Sequence, residues 1–384
     1  MDVLIWGDTE RSPALRHEVP LAIGDPFLYL ETDGRRAVLT NALEDERIAQ
    51  VAPDVERLLG EELGRDELIE AGLSHDEIDR ELSARAVQRL RIRRAVVPPE
   101  FPLALADRLR AEEIELEVDE QLFEMRRRRK SETEMAGIRR ATEAALAAMR
   151  RAAQLVRDAE IAGDELRLGD RTLTAEELRA AIRETCARAG ASCPPDIIVK
   201  SAGPGAPIGH DPGSGPLHPH TPIEIDLWPR DERSGCWADM TRTFVRGEIS
   251  DGLAVLHEAV LEAHERACAA VRPGVRGVDL YNVACEVLER AGQPTQRTKS
   301  PGQTLRHGFY FSLGHGVGLE VHEAPALGRT GHQELVAGDV LAIEPGTVDP
   351  ALGSTRVEDL LAVTDQGGER LTESFPYRLE PLGG

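Results

Sequence analysis

Carboxylates set into otherwise apolar strands constrain this chain more than any other feature of its sequence. Pro222-Ile-Glu-Ile-Asp-Leu-Trp228 alternates apolar and polar residues, and Trp237-Ala-Asp-Met-Thr-Arg-Thr-Phe-Val245 does so in part. The turn-forming stretch Pro229–Gly235 between them predicts a hairpin that sets Asp226 and Asp239 opposite each other on one face. The device recurs downstream. Asp339–Gly346 reads as a buried strand ending in Glu344, and Thr355–Val363 as its partner carrying Glu358. Burying a carboxylate in an apolar strand is costly unless a cation or a proton compensates it. Two facing carboxylates also repel, and a shared divalent metal relieves both problems.

A fifth element is Ser312-Leu-Gly-His-Gly-Val-Gly-Leu-Glu-Val-His-Glu323. His315 lies between glycines, so backbone can approach closely while the imidazole is presented to a cavity. One imidazole with four carboxylates suits Mn²⁺, Co²⁺, Fe²⁺ or Zn²⁺. Two such ions about 3.5–4 Å apart can hold a hydroxide and polarise a carbonyl, which is hydrolytic chemistry.

A length of 384 residues points to two domains. Before residue 128 the chain reads as α/β: strands at Val3–Trp6, Phe27–Glu31, Ala37–Thr40 and Ile114–Val118, and helical spacing over Val55–Gly60 and Asp76–Gln88. Pro98, Pro99 and Pro102 break the chain before Leu103–Arg110. The basic run Arg126–Lys130 is expected to be a solvated helix at a domain junction, in keeping with the acidic whole. A capping box at Ser131-Glu132-Thr133-Glu134 then opens a long amphipathic helix, Met135–Val156. The expected domains are 1–128 and 129–384. The second has a weak internal symmetry. Helices near 132–157 and 174–190 lead into strands ending at Val245, and helices near 251–271 and 277–291 into strands ending at Val363.

The 68 acidic against 46 basic residues give a net charge of −22, which repels phosphate and argues against nucleic acid or an anionic membrane as partner. The opening Met-Asp-Val-Leu-Ile-Trp-Gly-Asp lacks a basic, then apolar, leader, and five cysteines without Cys-x-x-Cys spacing read as reduced thiols. The expected setting is cytoplasmic.

Ala-Asp-Met-Thr-Arg-Thr-Phe, Gly-His-Gly-Val-Gly-Leu-Glu-Val-His-Glu, Ile-Glu-Pro-Gly and Arg-Val-Glu-Asp together resemble the metal centre of the pita-bread metallopeptidases, family M24. The amino-terminal third and the junction Arg129-Lys-Ser-Glu-Thr-Glu-Met-Ala-Gly-Ile-Arg-Arg-Ala141 resemble the Xaa-Pro aminopeptidase and prolidase branch. The resemblance implies a creatinase/prolidase-like α/β domain followed by a catalytic domain with a curved antiparallel sheet and pseudo-two-fold halves. It implies hydrolysis of the bond preceding proline in dipeptides or short peptides, two metal ions with Mn²⁺ foremost, and a homodimer. Asp226 would bind one metal, His315 with Glu344 the other, and Asp239 with Glu358 would bridge. Glu344 would shuttle the proton, and His322 and His210 would face the substrate, with His218 and His220 close to His210 in sequence. Arg356 would orient the bridging Glu358.

Three departures stand against the family pattern. Phe311 occupies the position where many proline-specific members carry a histidine, the Asp226–Asp239 connection is longer by two residues, and the Glu344–Glu358 hairpin is short. His307 lies near Phe311 in sequence. Alternatives are methionine aminopeptidase, which the long amino-terminal domain disfavours, and a creatinase-like amidinohydrolase, which the retained acids disfavour. A non-catalytic binding protein on the same fold is the reading from outside enzymology.

Overall fold

The apolar runs of the first third assemble into one six-stranded sheet. Its strands are β1 (Asp2–Gly7), β2 (Phe27–Thr32), β3 (Arg35–Thr40), β4 (Glu56–Leu59), β5 (Arg94–Val97) and β6 (Glu115–Val118), in the order β4-β3-β2-β1-β5-β6. β1, β2 and β3 pair antiparallel, whereas β4, β5 and β6 add in parallel at the two sides. Alternation along the strands feeds two cores. Leu4, Leu28 and Leu30 pack into one, while Val3, Ile5 and Tyr29 pack into the other. The computed structural model describes residues 1–206 and 209–382, and the chain divides into the compact units Met1–Arg127 and Arg128–Gly384.

The stretch Val55–Gly60 is not helical. Glu56–Leu59 pairs in parallel with Ala37–Thr40, because β3 offers a row of main-chain partners while so short a segment cannot recover the cost of starting a helix. The strand Arg94–Val97 escaped sequence reading, since its apolar residues directly follow the basic run Arg91–Arg94.

In the second unit the capping box forms as its sequence implies. Ser131 Oγ accepts from the Glu134 amide at 3.2 Å, and Glu134 Oε2 accepts from the Ser131 amide at 2.7 Å. The resulting helix α1 (Glu132–Asp158) buries Ile138, Ala141, Ala145, Met149, Ala152 and Val156. It packs on α2 (Ala175–Arg188), as α3 (Asp251–Ala270) packs on α4 (Gly277–Arg290). Each helix pair leads into antiparallel strands. β7 (Ile198–Ser201), β8 (Pro222–Leu227) and β9 (Met240–Val245) form a three-stranded sheet. After β10 (Gly314–Gly316), β11 (Glu323–Leu327) and β12 (Val340–Ile343), a hairpin of β13 (Gly346–Asp349) and β14 (Gly353–Arg356) precedes β15 (Asp359–Thr364) and β16 (Gly367–Arg370). The larger sheet runs β11-β10-β12-β15-β16. β12 and β15 serve two cores at once: Ala342 and Leu360 face one, Leu341, Ile343 and Leu361 the other.

The basic run at the junction is a solvated face only in part: Arg129 is exposed, but two of the run's cations are not. Arg128 is 2% exposed and donates from Nε and Nη2 to Asp339 at 2.8 and 2.6 Å. The Lys130 side chain is equally buried against Glu323. Within the first unit, Arg126 reaches Glu18 and Glu31. An acid-rich chain supplies buried carboxylates, and burial of a cation is tolerated where such a partner meets it. Among the described residues no helix is long and apolar enough to cross a membrane, and all five cysteines are buried free thiols.

Candidate metal centre

β8 is buried along its whole length, so each polar side chain on it needs a local partner. Asp226 on β8 lies opposite Thr241 on β9, not opposite Asp239, which immediately precedes β9. The expected facing pair is therefore a diagonal one. Glu344 and Glu358 sit at a break between two ladders: Ile343 pairs with Asp359 on one side, and Gly346 with Arg356 on the other. β9 stitches the halves together here. The Glu358 amide donates to the Thr241 carbonyl, and Thr241 Oγ1 donates to Glu358 Oε2 at 2.6 Å.

His315 enters from β10. A Cβ on Gly314 would lie 1.9 Å from the Ala342 carbonyl oxygen, and one on Gly316 2.2 Å from that of Ala324, so only glycines let the flanking strands close on this histidine. His315 Nδ1 lies 3.1 Å from the Gly316 carbonyl, an arrangement that requires the proton on Nδ1. Nε2 then carries its lone pair toward Asp239 Oδ2 at 3.7 Å and Glu344 Oε1 at 3.6 Å. Among the described residues, Asp239, His315 and Glu358 each offer one ligand atom, all within 4.8 Å of one another.

Arg356 completes the cluster from the far side. It donates to Glu344 Oε2 at 3.0 Å, and its Nη2 bonds Asp226. It thus reaches these two acids rather than Glu358, the carboxylate it was expected to orient. Burial raises the pKa of Asp239 and Glu358 well above the usual carboxylate range. The adjoining acids add to this, Glu358 acting most on Asp239 and Glu344 most on Glu358. Glu344 is also raised, by burial first. Burial alone would lower the Arg356 pKa, but Asp226, Glu224 and Glu344 raise it well above normal. Buried carboxylates held short of compensating donors, with an imidazole lone pair among them, are a donor set that fits divalent metal ions.

The cluster opens into a cavity of about 990 Å³ lined by His210, His315, His322, Tyr310, Phe311 and Glu344 among others. The His322 ring stands 4.2 Å from the His315 ring, edge to face, and its pKa is lowered by burial and then by His315. Of the neighbouring histidines, His218 is engaged with the Asp164 carbonyl and His220 with the Glu248 amide. His210 is the one of the three that lines the cavity. Pro207 and Ile208, which open the Pro-Ile-Gly-His-Asp phrase, lie outside the described residues. His307 is exposed and is not among the cavity-lining residues described. Sequence reading missed Lys200 and Glu224, both buried on the cavity wall. The strict alternation Ile223-Glu-Ile-Asp226 already placed Glu224 on the face of Asp226.

Residues 136–365 match metallopeptidase family M24, more than half of the chain. Similar curated proteins include the Xaa-Pro dipeptidases of Pyrococcus furiosus and Pyrococcus horikoshii, 38% and 36% identical over 139 residues. Each match spans 36% of this chain and 36% of the relative. The structure resembles the prolidase from Pyrococcus horikoshii OT3 (TM-score 0.72, 24% identity, 99% of this chain and 95% of that one). It also resembles the Xaa-Pro dipeptidase from Bacillus anthracis (TM-score 0.76, 23% identity, 98% and 94%). These likenesses extend over both units and show the fold: an α/β amino-terminal domain followed by a pita-bread domain. The chain belongs to metallopeptidase family M24.

Proposed function

We propose that this chain is a metal-dependent peptidase that cleaves the bond preceding proline in dipeptides or short peptides. The observation that carries the reading is the convergence of Asp239, His315 and Glu358 ligand atoms within 4.8 Å, flanked by Asp226 and Glu344, at the base of a cavity. Asp226, Asp239, His315, Glu344 and Glu358 would hold two divalent ions, Mn²⁺ foremost. When bound, the ions supply polarisation of the scissile carbonyl and a nucleophile at neutral pH.

The remaining steps belong to the protein. Glu344, which lines the cavity beside His315, takes up the proton released on attack and returns it to the leaving amine. His322 donates a hydrogen bond to the oxyanion of the tetrahedral carbon, and His210, which lines the same cavity, contacts the peptide. Phe311, packed edge-on against Phe309 and Tyr310, offers the pyrrolidine ring an apolar wall. The named Pyrococcus relatives are Xaa-Pro dipeptidases, which supports proline as the residue after the cleaved bond. The active species is a cytoplasmic homodimer in this reading, and light scattering on the purified protein would measure its mass.

The test reloads metal-free protein with Mn²⁺, Co²⁺ or Zn²⁺ and follows products from Ala-Pro, Ala-Pro-Ala, Met-Ala-Ala and Ala-Ala-Ala by mass spectrometry. Metal-dependent release of proline from Ala-Pro, or of alanine from the amino terminus of Ala-Pro-Ala, is expected, with Asp239→Ala inactive. No cleavage of any peptide with any metal would leave a binding protein on the same fold.

A further inference from the structure

Lys200 and Glu224 are not used by the chemistry just described, yet both are buried on the wall of the same cavity. The pairing of β7 with β8 sets Lys200 directly opposite Glu224, two residues along from Ile198 opposite Asp226. Glu224 and Asp226 therefore share the face of β8 that looks into the cavity. Lys200 Nζ donates to the Gly209 carbonyl at 3.0 Å and stands 3.8 Å from Glu224 Oε1. Glu224 accepts from Ser354 Oγ at 3.2 Å and lies 3.5 Å from Arg356 Nη2. One carboxylate thus faces two cations, and the second cation also reaches Asp226 and Glu344.

The choice of side chain is informative. Only three of the 46 basic residues are lysines, so an ammonium at this buried position departs from the chain's habit of using arginine. An ammonium is a compact point charge that suits a single anion in a confined space, where a guanidinium would need room for its planar fork. Arg356 is already shared among Glu224, Asp226 and Glu344, whereas the carboxylate that faces Lys200 is Glu224.

We propose that Lys200 determines specificity by taking a carboxylate of the bound peptide, with Glu224 holding the ammonium in place. The carboxylate has two sources with the same chemistry, the free carboxyl terminus of a dipeptide or an acidic side chain. The proposal rests on the peptidase reading above and narrows its substrate.

The test compares kcat/KM for Ala-Pro, Ala-Pro-amide and Asp-Pro-amide on the Mn²⁺-loaded enzyme, in wild type, Lys200→Met and Lys200→Arg. The wild type should favour a carboxylate-bearing substrate over Ala-Pro-amide by about tenfold or more, chiefly through KM, as a charge-assisted hydrogen bond provides. Lys200→Met should bring that ratio close to one, and Lys200→Arg, whose fork needs more room than the ammonium, should keep only part of it. Preference for Ala-Pro assigns the carboxyl terminus, whereas preference for Asp-Pro-amide assigns the side chain. If Lys200 merely anchors the Gly209–His210 segment, all substrates fall together and the ratio survives in Lys200→Met, which overturns the proposal. So does the absence of either preference in the wild type. If no peptide is cleaved, the peptidase reading fails separately. Calorimetric titration with L-proline, L-prolinamide and L-aspartic acid α-amide then reads the subsite without turnover. Tighter binding of either carboxylate than of prolinamide, lost in Lys200→Met, supports the proposal, and equal binding by the wild type overturns it.

Discussion

Glu358 and Asp359 are chain neighbours, both buried, and their carboxyl groups are driven in opposite directions. Glu358 accepts a hydrogen bond from Thr241, and burial together with Glu344 and Asp226 raises its pKa well above normal. Asp359 points to the other side of the strand into a saturated polar cluster. Arg242 Nη2 and Thr372 Oγ1 each donate to it at 2.8 Å, and the Tyr377 hydroxyl donates at 2.5 Å. Burial alone would raise the Asp359 pKa, but Arg242 and then His264 pull it down to about 2. Depth is common to both residues. What separates a candidate metal ligand from a structural anchor is the supply of protein donors, because a carboxylate left short of them is the one a cation can compensate.

Substitution should break this contrast in opposite ways. Asp239→Asn is expected to lower peptide hydrolysis by about 10³-fold or more, since several kcal/mol of carbonyl polarisation go with the metal. The same change should raise the melting temperature of the metal-free protein, because it removes one of several mutually repelling buried charges. Asp359→Asn should do the reverse to stability. Breaking the buried Arg242 pair should cost about 3–5 kcal/mol in denaturant unfolding, with or without metal. A more stable Asp359→Asn protein would refute the distinction.

A pH series sharpens it further. Asp239, Glu344 and Glu358 have raised pKa values, so in metal-free protein they add stability that is complete below their ordinary pKa values of 3.8 and 4.5. That contribution is lost as pH rises through the raised values. Asp359, lowered to about 2, and His264, lowered to about 4 mainly by burial, act the other way. The stability from Asp359 is whole above 3.8 and disappears toward 2, and that from His264 is whole above 6.5 and disappears toward 4. Melting curves of the metal-free protein should therefore peak in weak acid, and the stabilisation conferred by Mn²⁺ should grow from pH 5 to pH 8. A smaller effect is expected from Thr241→Val, which removes the hydroxyl that fixes Glu358. Metal affinity measured by titration should weaken about 10-fold, in the range found for groups that support a ligand from behind.

Much of this architecture is legible in the sequence, and the parts that are not share a cause. Helices with strong periodicity and caps, such as Glu132–Asp158, declare themselves locally. Acids in apolar strands mark the face that looks into the cavity before any geometry is known. Val55–Gly60 misleads because its strand state is set by a neighbour, β3, rather than by its own residues. The basic run Arg126–Lys130 misleads because Asp339 and Glu323, which bury Arg128 and Lys130, lie some 200 positions away in the chain. The contacts of Arg356 are equally non-local: that it reaches both Asp226 and Glu344 depends on how two separate hairpins meet.

The most direct test of the account is a titration of Mn²⁺ into metal-stripped protein, followed by calorimetry and paired with elemental analysis of the saturated sample. Two ions per chain are expected in the wild type, with proton release on binding that follows from the raised carboxyl pKa values and loss of binding in Asp239→Asn. Absence of binding by the wild type, or wild-type stoichiometry and affinity in Asp239→Asn, would contradict it.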